Sequence, residues 1–239
     1  MTTSSTPGAF ILGAFLCAGL IGLGYLGSSG FLEGKALERT VTVKGLSERE
    51  VPTDIAIWPI RFSEADNDLV SLYARIERDN TLVTDFLLEH GFTAEEISVS
   101  APAITDRQAQ SYGDGGGVLF RYVATSAITV YTTKTDQVRA TQTRLVDLGK
   151  QGVVISGDDY QARTQFLFTG LNDIKPDMIE EATRNAREVA GKFAADSASL
   201  LGRIKTASQG QFSIDDRDSN TPYIKKVRVV STVEYYLTD

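Results

Sequence analysis

The chain offers few side chains that could act as a catalytic base or nucleophile. It contains one histidine, His90, and one cysteine, Cys17. A Ser–His or Cys–His nucleophile would require one of these residues, and the sequence has no G-x-S-x-G turn that would expose a serine. His90 directly precedes Gly91 at the end of a predicted helix, where its ring can interact with the helix dipole. The sequence therefore predicts a helix-terminal role for His90 and no catalytic residue.

Acidic residues offer a second kind of chemistry, the binding of a cation. Asp216, Asp218 and Asn220 alternate as in the first half of a calcium-binding loop. The pattern then fails, because Thr221 stands where the loop needs glycine and Val227 where it needs a bidentate glutamate. We interpret the segment as a solvated loop and predict no metal site.

Two pairs of adjacent carboxylates could perform acid–base catalysis only if their side chains converged. Glu95-Glu96 and Asp158-Asp159 are sequence neighbours, so their side chains are expected to point apart. The alternative hypothesis is that the protein is an enzyme that uses Asp158, Asp159 or Asp216 together with a metal ion taken up from its surroundings. The pattern itself favours a protein that is not an enzyme.

A glycine-rich connection, DRQAQSYGDGGG, separates two predicted strands. It is not a phosphate-binding loop, because Asp114 interrupts the glycines, no lysine follows and no helix starts there. We interpret it as an exposed hairpin tip on which Tyr112 is the candidate partner-contacting side chain. No cofactor site is predicted.

Residues 176–201 predict the helix around which the other elements are arranged. Alanine recurs at every fourth position and forms one narrow stripe, which consists of Ala182, Ala186, Ala190, Ala194 and Ala198. Pro176 suits the first helical turn and Gly202 suits the left-handed residue after the last turn. The stripe allows close backbone approach, and the predicted partner is a sheet face, with a neighbouring subunit as the alternative.

Length and charge limit the classes of function. The 239 residues, 42% of them hydrophobic, suffice for the core of one domain or of two small lobes. The 24 Lys and Arg against 31 Asp and Glu give a net charge of −7, and Lys225-Lys226 is the only basic cluster. This balance disfavours nucleic-acid binding by counterion release.

The N-terminal segment has the composition of a membrane span. The first 32 residues carry no charged side chain, and the apolar run 9–26 reaches about 27 Å at about 1.5 Å per residue. We predict a tail at 1–8, a transmembrane helix or uncleaved signal anchor at 9–27, and a linker at 28–38. The alternative is a cleaved signal peptide, with a mature protein that begins near Phe31.

Small residues recur at every fourth position within this span. Ala14, Ala18 and Gly22 form a face on which membrane helices can associate closely. The alternative is that alanine and glycine are merely common in such segments. Cys17 lies beside this face and is interpreted as an apolar filler.

The remaining pattern predicts an α+β fold. Alternating segments and amphipathic segments follow the order ββα-ββα-ββα-ββ, with antiparallel hairpins and the helices packed on one face. Segments 39–45 and 54–62 are expected to form the opening hairpin, and Pro59 predicts an edge or bulged position for the second strand. Long hairpins leave unpaired edges that a protein must protect or use for association.

Several stretches together resemble the SIMPL-domain family. They are VTVKGLSEREVPTDIAIWPIRF, RYVATSAITVYTT, the alanine-rich helix that is followed by Leu-Gly, and VRVVSTVEYYL, in this order over residues 39–237. The resemblance implies an exported bacterial protein of the periplasm or envelope, with large ring-like homo-oligomers and ties to oxidative-stress defence in some members. It supplies no catalytic motif. It also implies a periplasmic body, against the weak cytoplasmic bias of Lys35, Arg39 and Lys44.

The sequence thus leads to one working hypothesis. Residues 39–239 form a SIMPL-like α+β domain that is tethered by a single pass to the inner membrane and faces the periplasm. It associates with copies of itself, has the bilayer as its other partner through residues 9–27, and serves as a non-enzymatic scaffold or binding module in the envelope. A freely soluble periplasmic binding protein and the carboxylate-dependent enzyme remain the alternatives.

Overall fold

The computed structural model describes residues 6–36, 39–110, 119–156 and 163–238. Six helices and nine strands alternate within these ranges. In chain order they are α1 (Thr6–Ala36), β1 (Thr40–Pro52), β2 (Ile55–Asp66), α2 (Leu69–Glu89), β3 (Ile97–Val99), β4 (Ala103–Asp106), α3 (Arg107–Gln110), β5 (Tyr122–Thr132), α4 (Thr135–Gln142), α5 (Val146–Lys150), β6 (Gln165–Leu167), α6 (Leu171–Asp196), β7 (Leu200–Gln209), β8 (Ser213–Asp216) and β9 (Ile224–Thr238). The strand pairs β2–β5, β2–β6, β3–β5, β4–β5 and β7–β9 are antiparallel, which confirms the α+β class.

The chain divides into two compact units. The first unit comprises residues 1–47, 177–212 and 228–239, and the second comprises residues 48–176 and 213–227.

The second unit is built on a five-stranded sheet with the order β3-β5-β2-β6, and β4 also pairs with β5. Every second residue of β2 from Ala56 to Phe62 is buried, as the period of a strand with one covered face requires. Helix α2 contributes the apolar stripe that meets this face. The main core members are Trp58, Ile60, Phe62, Leu72, Ile76, Val83, Phe86, Leu87, Ile128 and Val130.

The predicted opening hairpin is wrong. Strand β1 belongs to the four-stranded sheet beside β9, whereas β2 lies inside the five-stranded sheet between β5 and β6. Pro59 therefore does not mark an edge strand. It pairs with Thr129 of β5, and on its other side β6 ends opposite Ile57 while the next bridge begins at Phe62. The missing N–H of Pro59 thus falls in a gap between two short partners, where among the described residues no ladder hydrogen bond is lost.

The first unit brings helix α6 onto the face of β1 and β9. Four members of the alanine stripe, Ala182, Ala186, Ala190 and Ala194, are buried. Together with Val43, Val233 and Tyr235, two of them form the core of this unit. The predicted sheet partner of the stripe is thereby confirmed.

The contact is closest at Gly45, the glycine of the V-x-V-x-G motif. A Cβ atom at this position would lie 1.8 Å from the carbonyl oxygen of Ala182 and 2.4 Å from the amide nitrogen of Ala186. The helix backbone therefore occupies the space that any other side chain on β1 would need.

The predicted ends of this helix are wrong. Helix α6 begins at Leu171 and contains Pro176 in its interior rather than in its first turn. It ends at Asp196, because Ala198 adopts a φ of 53° and the amide of Ser199 bonds back to the carbonyl oxygen of Ala194 at 2.8 Å. This is a Schellman-type end with alanine where glycine is usual. Ala198 is consequently exposed and is not part of the stripe.

Helix α1 is long and apolar enough to cross a membrane. Its most apolar part, Ile11–Ser29, has 19 residues, a mean hydropathy of 1.8 and no residue buried by the rest of the protein. The predicted packing residues Ala14, Ala18 and Gly22 lie in this part, the two alanines exposed and Gly22 half-buried. The helix is consistent with a membrane anchor or a signal sequence.

We predict that Gly45→Ala destabilises the protein by about 3 kcal/mol, because the added methyl group collides with backbone atoms that cannot rotate away. Chemical denaturation of the full chain, followed by circular dichroism, measures the change.

Gly191→Ala is the matched control on the same helix. No heavy atom lies within 4 Å of the Cβ position at Gly191, so this variant is expected to gain about 1 kcal/mol from helix propensity. Equal effects of the two substitutions would contradict the packing that we describe.

Candidate functional site

The single histidine closes helix α2. His90 directly follows this helix, and its Nδ1 atom lies 2.7 Å from the carbonyl oxygen of Phe86. Its ring packs against the Phe86 ring at a centroid distance of 4.2 Å. The predicted helix-terminal position is therefore confirmed, and none of these contacts brings His90 to a hydroxyl or thiol group.

In the acidic loop before β9, the carboxylate oxygen atoms of Asp218 accept hydrogen bonds from neighbouring residues of the same loop. The Oδ1 atom of Asp218 accepts hydrogen bonds from the amides of Asn220 at 2.8 Å and Thr221 at 2.9 Å. Its Oδ2 atom accepts from the Thr221 hydroxyl group and from Nε of Arg217. The Thr221 hydroxyl bond, followed by the Arg217 bond, lowers the pKa of Asp218 to about 2. Asp216 forms an ion pair with Lys225.

The alternating oxygen-bearing residues of this segment resemble the first half of a calcium-binding loop, but these contacts give them a structural role. Asp218 stabilises a turn, as an aspartate commonly does by binding amides two and three residues ahead. Within the four described ranges, no group of three or more His, Cys, Asp or Glu side chains could hold a metal ion.

The remaining predicted acidic and loop residues separate into two groups. Glu96 forms a capping box with Thr93, and it also accepts a hydrogen bond from Thr132 at 2.6 Å and one from Lys134 at 3.0 Å. Glu96 therefore serves local structure. Outside the described residues lie Tyr112, the glycine-rich run 113–117, Asp158 and Asp159.

A polar depression of about 540 Å³ opens on the five-stranded sheet, mainly on the face opposite the apolar core. It is lined by Arg61, Ala101, Ala103, Ala127 and five hydroxyl-bearing residues, Ser63, Ser100, Thr125, Ser126 and Ser156. Ser63 and Thr125 approach each other at 3.3 Å between their hydroxyl oxygens. No lining residue among those described is a histidine, lysine or carboxylate.

One edge of the four-stranded sheet in the first unit is formed by β7. Strand β7 stands at the end of the order β1-β9-β7, and eight of its ten residues are exposed. Its register with β9 shifts between Leu201 and Thr206 and is regular from Thr206 to Gln209. This regular stretch contains no charged residue.

One pair of residues was missed in the sequence. Asp79 lies in the apolar stripe of α2, between Ile76 and Val83, and its side chain is 1% exposed. Glu64, near the end of β2, is 12% exposed and lies beside Asp79. A charged residue at a core position of an amphipathic helix was the signal that could have revealed the pair.

We predict that calcium leaves the stability of the protein unchanged. A site of the weak extracellular class, with a Kd of about 10⁻⁴ M, would stabilise the fold by about 2.7 kcal/mol in about 10 mM calcium chloride. Denaturation of the full chain with and without calcium measures the difference, and magnesium chloride at equal ionic strength is the control. A calcium-specific gain that is lost in Asp218→Asn would contradict the turn assignment.

Comparison with known proteins complements this geometry. The family described as "SIMPL: Protein of unknown function (DUF541)" matches residues 41–235, which extend from β1 to β9. No curated protein matches the chain. Since the family match covers well over half of the sequence, including the Gly45 motif, the stripe of α6 and strand β9, the chain belongs to the SIMPL family.

Proposed function

We propose that the protein is a single-pass protein of the inner membrane whose periplasmic body associates with further copies of itself and acts as a non-enzymatic scaffold or binding module. The observation that carries this proposal is the combination of an apolar, unburied α1 with an exposed, regular edge on β7. The assignment to the envelope, and a role in stress defence, rest on the family resemblance alone.

The dimensions of α1 support its role as an anchor. Its 19-residue apolar part is about 28 Å long at about 1.5 Å per residue, close to the roughly 30 Å of a hydrocarbon core. Large side chains are exposed on several sides of the helix, for example Phe15, Ile21 and Leu23, each more than 70% exposed. A helix that is apolar all round requires an apolar surrounding, and a bilayer provides one.

The exposed edge of β7 supports self-association. An edge strand presents unpaired N–H and C=O groups, which another strand of the same kind can bind. Proteins commonly protect such edges with bulges and lysine residues, and the first half of β7 has both, with Lys205 beside the register shifts. The stretch from Thr206 to Gln209 has neither protection, so we assign the contact between copies to it.

Non-enzymatic action is supported by the chemistry of the described side chains. His90 closes a helix, Asp218 closes a turn, and the described lining of the polar depression contains no histidine, lysine or carboxylate. Each polar group that sequence patterns favoured for chemistry, and that the structure describes, has a structural partner.

We predict that the body is reached from the periplasm while the span is not. In spheroplasts, a membrane-impermeant maleimide should label a Thr81→Cys variant, because residue 81 is exposed on α2. The wild-type protein is the internal control, since its only cysteine, Cys17, lies inside the apolar part of α1 and should react only after solubilisation.

Two outcomes would contradict the topology. Labelling of Thr81→Cys only after lysis would place the body in the cytoplasm. Release of the protein without detergent, with a mature N-terminus near Phe31, would replace the anchor by a cleaved signal peptide.

We predict that Ser208→Lys reduces the mass of the assembly formed by the full chain in detergent. A lysine on the regular edge leaves strand pairing within the molecule intact but opposes pairing between copies by desolvation and charge repulsion. Light scattering coupled to size-exclusion chromatography measures the mass.

Thr81→Lys is the matched control, because it adds the same charge at an exposed helix position away from β7. It should retain the wild-type mass. A monomeric wild-type protein would end the proposal of self-association, and an unaltered mass for Ser208→Lys would move the contact away from β7.

A further inference from the structure

Where α2 packs on the five-stranded sheet, one buried carboxylate oxygen of Asp79 has no hydrogen-bond donor among the described residues. Asp79 is fully buried. Its Oδ1 atom accepts hydrogen bonds from Nε and Nη2 of Arg78 at 3.0 and 2.7 Å. Its Oδ2 atom is buried as well and receives no hydrogen bond from any N–H or hydroxyl group among the described residues. A buried carboxylate oxygen without a donor costs several kcal/mol.

The neighbour of Asp79 on the sheet is another carboxyl group. The side chain of Glu64 lies beside that of Asp79, and Nη2 of Arg78 approaches both, at 4.0 Å from Oε1 of Glu64 and 2.7 Å from Oδ1 of Asp79. Two carboxylates cannot hydrogen-bond unless one of them carries a proton. A protonated Glu64 would therefore supply the missing donor to Asp79.

We propose that Glu64 and Asp79 form a proton-binding site that holds one shared proton between β2 and α2 in the native protein. The proton joins β2 to α2 at the border of their apolar core, beside the ion pairs of Arg75 with Glu64 and Asp66. The site goes beyond the proposed scaffold function and does not depend on it.

The charges around Glu64 and Asp79 are balanced when the pair holds one proton. Helix α2 faces the pair with Arg75 and Arg78, and β2 adds Asp66, which binds Arg75 at 3.2 Å. Arg75 also lies 3.8 Å from Glu64. Two guanidinium groups against three carboxylates leave one negative charge, and one bound proton removes it.

The neighbouring strand β5 places no compensating charge opposite Glu64 or Asp66. On β5, the residues paired with Glu64 and Asp66 are Ala124 and Tyr122. The next charged groups, Arg121 and Asp106, form an ion pair with each other at 2.9 Å.

The proton affinity of the site follows from burial and from the second carboxylate. Burial raises the pKa of Glu64, and the hydrogen bond and charge of Asp79 raise it further, against smaller opposing effects of Arg75 and Arg78. Because the native pKa lies above that of the unfolded chain, the native state holds a proton that the unfolded state has lost. The stabilisation is complete below the ordinary glutamate pKa and is lost as the pH rises through the raised value.

The test measures both the proton and its linkage to folding. In the full chain in detergent, carbon-13 spectra of glutamate carboxyl groups, assigned with Glu64→Gln, should show Glu64 titrating above the ordinary glutamate range. The unfolding equilibrium constant should rise up to about tenfold per pH unit between the ordinary and the raised pKa.

Variants separate the pair from general charge effects. Glu64→Gln keeps a donor for Asp79 permanently and should abolish this part of the pH dependence. Asp79→Asn removes the second charge and should lower the titration midpoint of Glu64. Glu77→Gln, the same chemical change at an exposed position of α2, should leave both observations as in the wild-type protein.

Several results would overturn the proposal. One is a Glu64 carboxyl group that titrates in or below the ordinary range in the wild-type protein, a measurement that does not require any variant to fold. Another is a pH dependence that persists in Glu64→Gln. A third is a stabilisation by sodium or calcium ions that Glu64→Gln removes, since the pair would then bind a cation instead of a proton.

Discussion

The close approach of helix α6 to strand β1 is the contact on which the first unit depends. At Gly45, backbone atoms of the helix stand where a side chain would normally stand. Dispersion attraction falls steeply with distance, so a gap of even 1 Å would forfeit much of the contact along the helix. The short separation also permits two hydrogen bonds, from Ser47 to Glu181 at 2.9 Å and from Asn185 to the carbonyl oxygen of Leu46 at 2.8 Å. Small residues on both surfaces thus fix distance and register together.

In the second unit the helix also packs tightly on its sheet, but it does so through large side chains instead of small ones. Large side chains such as Trp58, Phe62 and Phe86 fill the space between α2 and its sheet, so no backbone approach is needed. Such a core tolerates volume-conserving changes better than the Gly45 contact does, because side chains can repack and a backbone cannot. Its constraint lies at the polar end, where Asp79 is buried and its energy depends on the groups beside it.

Local periodicity predicted the elements better than it predicted their partners. The four-residue alanine repeat indicates the buried face of α6. Pro176 does not mark the start of this helix, because a proline tolerated inside a helix gives the same sequence pattern as one in its first turn. The partner of β1 was wrong, since an alternating strand has the same pattern whichever strand it pairs with, and β9 lies at the other end of the chain. The absence of a calcium geometry at Asp218 could be anticipated from Thr221. The Glu64–Asp79 contact could not, because it requires the register of a helix on a sheet.

In the proposed assembly, attachment to a bilayer lowers the binding free energy that the contact at the β7 edge must supply. Four residues with two or three net hydrogen bonds, each worth about 1 kcal/mol, do not offset the several kcal/mol that free association costs in solution. Helix α1 ends at Ala36 and β1 begins at Thr40, so at about 3.5 Å per residue the first strand starts within about 14 Å of the helix end. Copies anchored in this way would present β7 at one height above the membrane, and the small residues of α1 would offer a second contact in the same pair. Two weak contacts joined by one chain act as a single stronger one, because the second forms at a high effective concentration. In the assembly that we propose, the anchor would therefore be part of the mechanism, because the edge alone is too short to replace it.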